Sequence, residues 1–152
     1  MIFNRGHCTI VLWNSKNIFN IGGAMRAAAC YDADLIVISG NRKIKSLKHL
    51  STDTPKAWRH IPTLQVEDPF DAMPLGAIPI AVDLLPDAVS LPKFSHPERA
   101  FYIFGPEDGT ISSSVHEKCK YKIMIPSTVC MNLAACVNVV LYDRMAKRDQ
   151  GV

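Results

Sequence analysis

Three short segments hold residue types that bind ligands and orient polar groups. Asn20 and Arg26 flank a glycine pair in Asn20-Ile-Gly-Gly-Ala-Met-Arg26. Glu107 and Asp108 follow a Gly-Pro turn in Phe104-Gly-Pro-Glu-Asp-Gly109. Asn132 ends Ile125-Pro-Ser-Thr-Val-Cys-Met-Asn132, which starts rigidly and runs on through uncharged polar residues. Gly105 lets the backbone approach a ligand closely, and Pro106 stiffens the turn. Each segment also has an ordinary reading: a capping asparagine, a glycine that helps a helix to pack, or an acidic turn before a helix. Metal chemistry has little to work with. The five histidines (7, 49, 60, 96, 116) show no ligand spacing, and no two of the five cysteines (8, 30, 119, 130, 136) form C-x-x-C.

The elements that must position these residues are legible from periodicity. Apolar runs predict strands at 8–13, 35–39 (stopped by Gly40), 60–66, 78–83, 100–104 and 121–125. Helical patterns cover 17–31, 112–119 and 132–148, with shorter ones at 43–50 and 69–73. Pro79 must begin its strand or lie on an edge. The stretch 84–98, with prolines at 86, 92 and 97, reads as loop. Strands this apolar, alternating with helices, predict an α/β fold with a mainly parallel sheet. Such sheets bind ligands beyond the carboxyl ends of their strands, where all three segments fall.

Size and composition bound the rest. The chain of 152 residues, 48% hydrophobic and 20% charged, is expected to form a single domain spanning 1–152. No apolar stretch approaches the ~20 residues of a membrane span. The first residues lack a signal-peptide pattern. With cysteines in odd number and unpaired in pattern, a reducing cytoplasm is the expected location. The net charge of +3 is compatible with nucleic acid without demanding it.

Taken together and in this order, the three segments resemble the SPOUT methyltransferases, and within them the SpoU/TrmH class of RNA ribose methyltransferases. Asn20, Gly22/Gly23 and Arg26 are similar to the class's first motif. Phe104-Gly-Pro-Glu107 matches the second. Ile125-Pro126 with Met131-Asn132-Leu133 and the following helix matches the third. The likeness runs from residue 8 to about 148, in the minimal TrmL/YibK-like form without extensions. It implies a deep C-terminal trefoil knot, an exception to the rule against knotted chains. It further implies S-adenosylmethionine (AdoMet) as cofactor, and a homodimer whose active site uses both subunits. By position, Val82, Gly105, Ile125, Cys130 and Met131 would hold AdoMet, and Asn20, Arg26, Glu107 and Asn132 would take the catalytic places. Cys130 stands where the class commonly has Ser, and Gly109 comes one residue early, leaving Thr110 in the usual glycine place.

The implied reaction transfers a methyl group to a ribose 2'-hydroxyl. No metal is needed, and alignment of the reactants can supply ~7–11 kcal/mol in ideal cases. The class assigns proton removal to the first-motif arginine. A guanidinium with a pKa above ~12 suits a different task, gripping the neighbouring phosphate and steadying the developing alkoxide. The proton then passes to the substrate's own phosphate or to a transiently neutral arginine. The expected RNA contacts are Arg42, Lys43, Lys45, Lys48, His49, Lys56, Arg59 and His60, with Trp58 as a stacking residue. The leading substrate is tRNA, at the wobble nucleotide of the anticodon loop. A base methyltransferase of the same superfamily and a non-catalytic knotted RNA-binding domain are the alternatives. A Rossmann dehydrogenase is disfavoured, because no G-x-G-x-x-G follows the first strand. Two structural expectations complete the reading. The segments after 82, 104 and 125 should converge on one pocket. Val137, Val140, Leu141 and Met145 should form an exposed stripe for dimerisation with the 17–31 helix.

Overall fold

The computed structural model describes residues 6–42 and 56–151, apart from the side chain of Trp58. The helix expected at 43–50, with Lys43, Lys45, Lys48 and His49, lies outside the described residues. Seven strands form one sheet: β1 (His7–Trp13), β2 (Leu35–Ser39), β3 (Thr63–Val66), β4 (Ile78–Val82), β5 (Val89–Ser90), β6 (Arg99–Phe104) and β7 (Tyr121–Met124). Their order is β3-β2-β1-β6-β4-β7-β5, and every pairing is parallel. The α/β class with a mainly parallel sheet is therefore as expected.

Both faces of the sheet are covered, so the strands are apolar on both sides. In β1, Ile10 and Leu12 point into one core while Val11 points into the other. In β6, Tyr102 and Phe104 join the first core, and Phe101 and Ile103 the second. The helices α1 (Ile18–Cys30) and α3 (Leu133–Asp149) cover the first face. The short helix α2 (Ser113–Lys118) contributes Val115 to the second.

Asn17 caps α1, its side chain accepting from the N–H groups of Phe19 and Asn20. Asn132 caps α3 by accepting from the Ala135 N–H at 2.8 Å. Both helices start where polarity and periodicity place them. They approach so closely that a Cβ on Gly23 would lie 2.9 Å from that of Ala134. Pro79 is the second residue of β4, ahead of the first pairing of that strand with β7, at Ile80. In the stretch read as loop, β5 and a 3-10 turn at Leu91–Lys93 are present. Two-residue strands carry too little periodicity to read.

The expected apolar stripe on α3 is corrected. Val137 and Val140 are 0% exposed and Leu141 2%, all within the core; only Met145 reaches solvent. The stripe exists, but it faces the sheet. The contacts between α1 and α3 are made within one chain.

A second device fixes α3. Lys147 Nζ donates to the carbonyls of Leu91 and Phe94 at 2.7 and 2.8 Å and to Asp143 at 2.7 Å. His96 lies between Asp143 (2.7 Å) and the Tyr102 hydroxyl (2.6 Å). Arg144 donates to the Glu98 carbonyl. Burial pushes the Tyr102 hydroxyl above its ordinary range. Burial also lowers the His96 pKa, against the pull of Asp143. A neutral His96 that donates from Nε2 to Asp143 and accepts from Tyr102 at Nδ1 satisfies every partner.

Candidate active site

The sheet order places the ends of β6, β4 and β7 side by side. A cleft opens there. Val82, Gly105, Ile125, Cys130 and Met131, the five residues expected to hold a cofactor, all line it. Its walls are apolar at Val82, Phe104, Ile125 and Leu133, with carboxylates at Asp83 and Glu107. Cys130 is exposed, and Cys136 lies on the same cleft. Burial, with Cys130 adding to it, pushes the Cys136 thiol up to about 11, so it stays protonated at neutral pH.

Gly105 has a packing constraint beside the one the turn suggests. An added Cβ would lie 3.1 Å from Ile111 Cγ1, and Ile111 is buried. A side chain at 105 would need Ile111 to give by a few tenths of an ångström. At Gly109 an added Cβ would make only an ordinary contact with Pro106, so the shifted glycine leaves no strain.

Asp83 is the residue that sequence reasoning missed. Its carboxylate accepts from the Leu84 N–H (2.9 Å), the Ile111 N–H (3.2 Å) and His116 Nε2 (3.2 Å). It thereby ties the end of β4 to Ile111, ahead of α2, and to His116 within α2. The signal was available: Asp83 is the first polar residue after the buried run of β4.

The second depression lies where β1 and β6 end. Strands run away from this point in both directions in the sheet order, as at the ligand crevices of open α/β sheets. Lys16, Phe19, Asn20, Glu107 and Asp108 line it. Asn20 Nδ2 donates to Glu107 Oε1 at 3.2 Å, and the Lys16 N–H donates to Oε2 at 3.3 Å. Glu107 is thus shared by both depressions.

Arg26 does not join them. The helix α1 begins at Ile18, as the 17–31 pattern predicts. Asn20 and Arg26 are then both helical, about 120° apart around the axis and about 9 Å apart along it. Arg26 is exposed and makes no hydrogen bond or ion pair among the described residues. Asn132 is exposed at the start of α3, with its oxygen engaged in capping.

Of the expected RNA contacts, Arg42 is committed elsewhere. Its guanidinium forms a two-pronged pair with Asp108 at 3.0 and 2.9 Å and also donates to the Asn14 carbonyl. Lys56, Arg59 and His60 are exposed. Among the described residues, no group of three His, Cys, Asp or Glu side chains could hold a metal ion. No helix there is long and apolar enough to cross a membrane.

A three-layer α/β fold with a cleft at its strand ends defines a ligand-binding protein of the open-sheet class. The chain belongs to the SpoU rRNA Methylase family, whose model matches residues 7–142. Among solved structures it resembles the SpoU methyltransferase AviRb from Streptomyces viridochromogenes, with TM-score 0.86, 18% identity, and coverage of 97% of this chain and 62% of that one. AviRb has also been solved with AdoMet. The TrmH/SpoU tRNA modifying enzyme of A. aeolicus matches with TM-score 0.83 and 17% identity, over 97% of this chain and 79% of that one. A structure bearing on the 2-OH methylation of C/U34 on tRNA matches with TM-score 0.75 and 22% identity, over 99% and 100% of the two chains. At such identities the likeness is one of fold. The chain spans less than two thirds of AviRb. A comparison with curated protein sequences finds no match.

Proposed function

We propose that the chain is an AdoMet-dependent RNA methyltransferase that methylates a ribose 2'-hydroxyl of tRNA, at the wobble nucleotide. The observation that carries this reading is the place of Glu107, on the wall shared by the cofactor cleft and the depression at Asn20. A solved relative that covers 99% of this chain and 100% of its own concerns 2-OH methylation of C/U34 on tRNA, which supports the substrate.

The cleft suits AdoMet on its own chemistry. Apolar walls fit an adenine, and carboxylates at the rim complement a cation. When bound, AdoMet supplies a methyl group made electrophilic by a sulfonium. Val82, Gly105, Ile125, Cys130 and Met131 would enclose it. Glu107, fixed by Asn20 and the Lys16 N–H, orients the incoming hydroxyl, and Asn132 stands between Met131 and Leu133, which line the cleft. The hydroxyl proton would pass to the phosphate beside the ribose as the methyl moved from the sulfonium to the ribose oxygen.

Arg26, distant from Glu107's partners on its own chain, enters through the homodimer. In that assembly it reaches the second copy's site, grips the phosphate and steadies the alkoxide. The dimer surface is then Tyr142 and Val139 of α3 with Tyr31 at the end of α1, lining an open groove with Pro92 and Pro126, in place of the buried stripe. The same reading takes residues 1–152 as one cytoplasmic domain whose α3 threads a trefoil knot, held there by its bonds to 91–98.

Calorimetric titration with AdoMet tests the cofactor, and nucleoside mass spectrometry of tRNA from a deletion strain tests the product. Binding, and the loss of one 2'-O-methylated anticodon nucleotide, are expected. An absence of AdoMet binding to the dimer would remove the enzyme reading.

A further inference from the structure

The turn that carries Glu107 belongs to no helix or strand, so side chains decide where it sits. Next to Glu107, Asp108 takes both prongs of Arg42 at 3.0 and 2.9 Å, with Lys16 Nζ at 3.9 Å. Arg42 is itself anchored. Its Nη1 donates to the Asn14 carbonyl at 3.1 Å, and its backbone N–H donates to Asn14 Oδ1 at 3.3 Å. Asn14 is held in turn by the Ser39 carbonyl at 2.7 Å, with its backbone in the left-handed region at φ 54°. The ends of β1, β2 and β6 are thereby joined through one guanidinium.

We propose that the Arg42–Asp108 pair is a clamp that holds Glu107 in register with Asn20, making both members positioning residues for methyl transfer. This rests on the reading of Glu107 given under Proposed function. The planar fork explains the arginine. It meets a carboxylate at two points and a carbonyl at a third, which a lysine ammonium cannot do in one plane. Arg42 holds the Asp108 carboxyl below its ordinary pKa, so the clamp stays charged at neutral pH. The sequence alone groups Arg42 with the RNA-binding cations. The structure separates it from them, because transferring its fork to an RNA phosphate would release the turn beside Glu107. A displacement of about 1 Å at a reacting group can cost about 100-fold in rate.

The test compares Arg42→Ala, Arg42→Lys, Asp108→Asn, the double Arg42→Ala/Asp108→Asn, and the reversed pair Arg42→Asp/Asp108→Arg. The probe is total tRNA from a deletion strain with labelled AdoMet. A clamp requires kcat to fall by about 10- to 100-fold in both single alanine and asparagine variants. It also requires KM for tRNA to stay within about threefold, and the double variant to be no worse than either single. Arg42→Lys should behave like Arg42→Ala, and the reversed pair should recover part of the loss. The proposal is overturned if Arg42→Ala raises KM for tRNA and flattens its salt dependence while Asp108→Asn leaves kcat unchanged, since Arg42 would then be a phosphate ligand. If the wild-type chain methylates no tRNA, the functional reading fails, and amide hydrogen exchange judges the clamp separately. Both single variants must then speed exchange at 105–110 and leave α3 unchanged; unaltered exchange at 105–110 contradicts the clamp.

Discussion

Two polar clusters in this molecule use the same side-chain chemistry for opposite ends. Around His96, the side chains are mostly buried: that of His96 is 2% exposed and that of Lys147 14%, with bonds of 2.6–2.8 Å. Around Glu107, they are exposed, with bonds of 2.9–3.3 Å. The histidine, carboxylate and tyrosine of the first cluster look more like a catalytic set. They lie behind the sheet and between α3 and the 91–98 segment, where His96, Asp143, Lys147 and Tyr102 all have partners. The second cluster lies beyond the strand ends, where Glu107 opens on two depressions. Placement in the fold, rather than tight bonding or perturbed titration, separates a site from a brace. A brace must be complete in itself, whereas a site keeps capacity for a ligand.

The sharpest way to break this contrast is to damage the brace. Asp143→Ala leaves His96 and Lys147 without their shared acceptor in a mostly buried place. It should cost about 3–5 kcal/mol of stability, read by denaturant unfolding, while AdoMet affinity of the folded fraction stays near wild type. The converse comes from the site. Glu107→Ala and Arg26→Ala should cut methyl transfer by about 10²–10³-fold and shift the unfolding midpoint little. Arg26→Lys should recover little, for want of the fork. Equal losses of stability from both clusters would erase the distinction.

A smaller effect appears with pH. Burial holds the His96 pKa below its ordinary 6.5, so the unfolded chain binds the proton more readily than the folded one. The brace's contribution is therefore fully present above about pH 6.5 and is lost as pH falls below it. Unfolding free energy should decline from pH 7 to pH 5 in the wild type. In His96→Gln the decline should be shallower, with Asp143, Lys147, Arg144 and Tyr102 unchanged around the site. The smallest change is Cys130→Ser, which should alter AdoMet affinity by less than about threefold, because Cys130 is exposed and lines the cleft without a bonded partner among the described residues.

The sequence shows the site better than the brace, and the reason is physical. Glu107 and Asn132, of the proposed site, sit in short segments after apolar runs and are visible as strand-end motifs, while the five cleft residues follow from the likeness to the SpoU/TrmH class. His96, Asp143 and Lys147 meet only through tertiary packing, and no local spacing marks them. The same limit explains the α3 stripe. Periodicity shows that Val137, Val140 and Leu141 share a face, but not whether that face meets the sheet or a second chain. It also explains Arg26, whose separation from Asn20 depends on where α1 begins. The cap at Asn17 decides that, and an asparagine at 20 mimics it in sequence.

The central claim is that Glu107 stands between a cofactor and a ribose. It is tested most directly by incubating tRNA from a deletion strain with AdoMet and either wild-type protein or Glu107→Gln. Nuclease digestion and mass spectrometry then locate the methyl group. The account predicts one new 2'-O-methylated nucleotide in the anticodon loop with wild type, and almost none with Glu107→Gln despite unimpaired AdoMet binding. A methyl group on a base, or full activity without the Glu107 carboxylate, would contradict it.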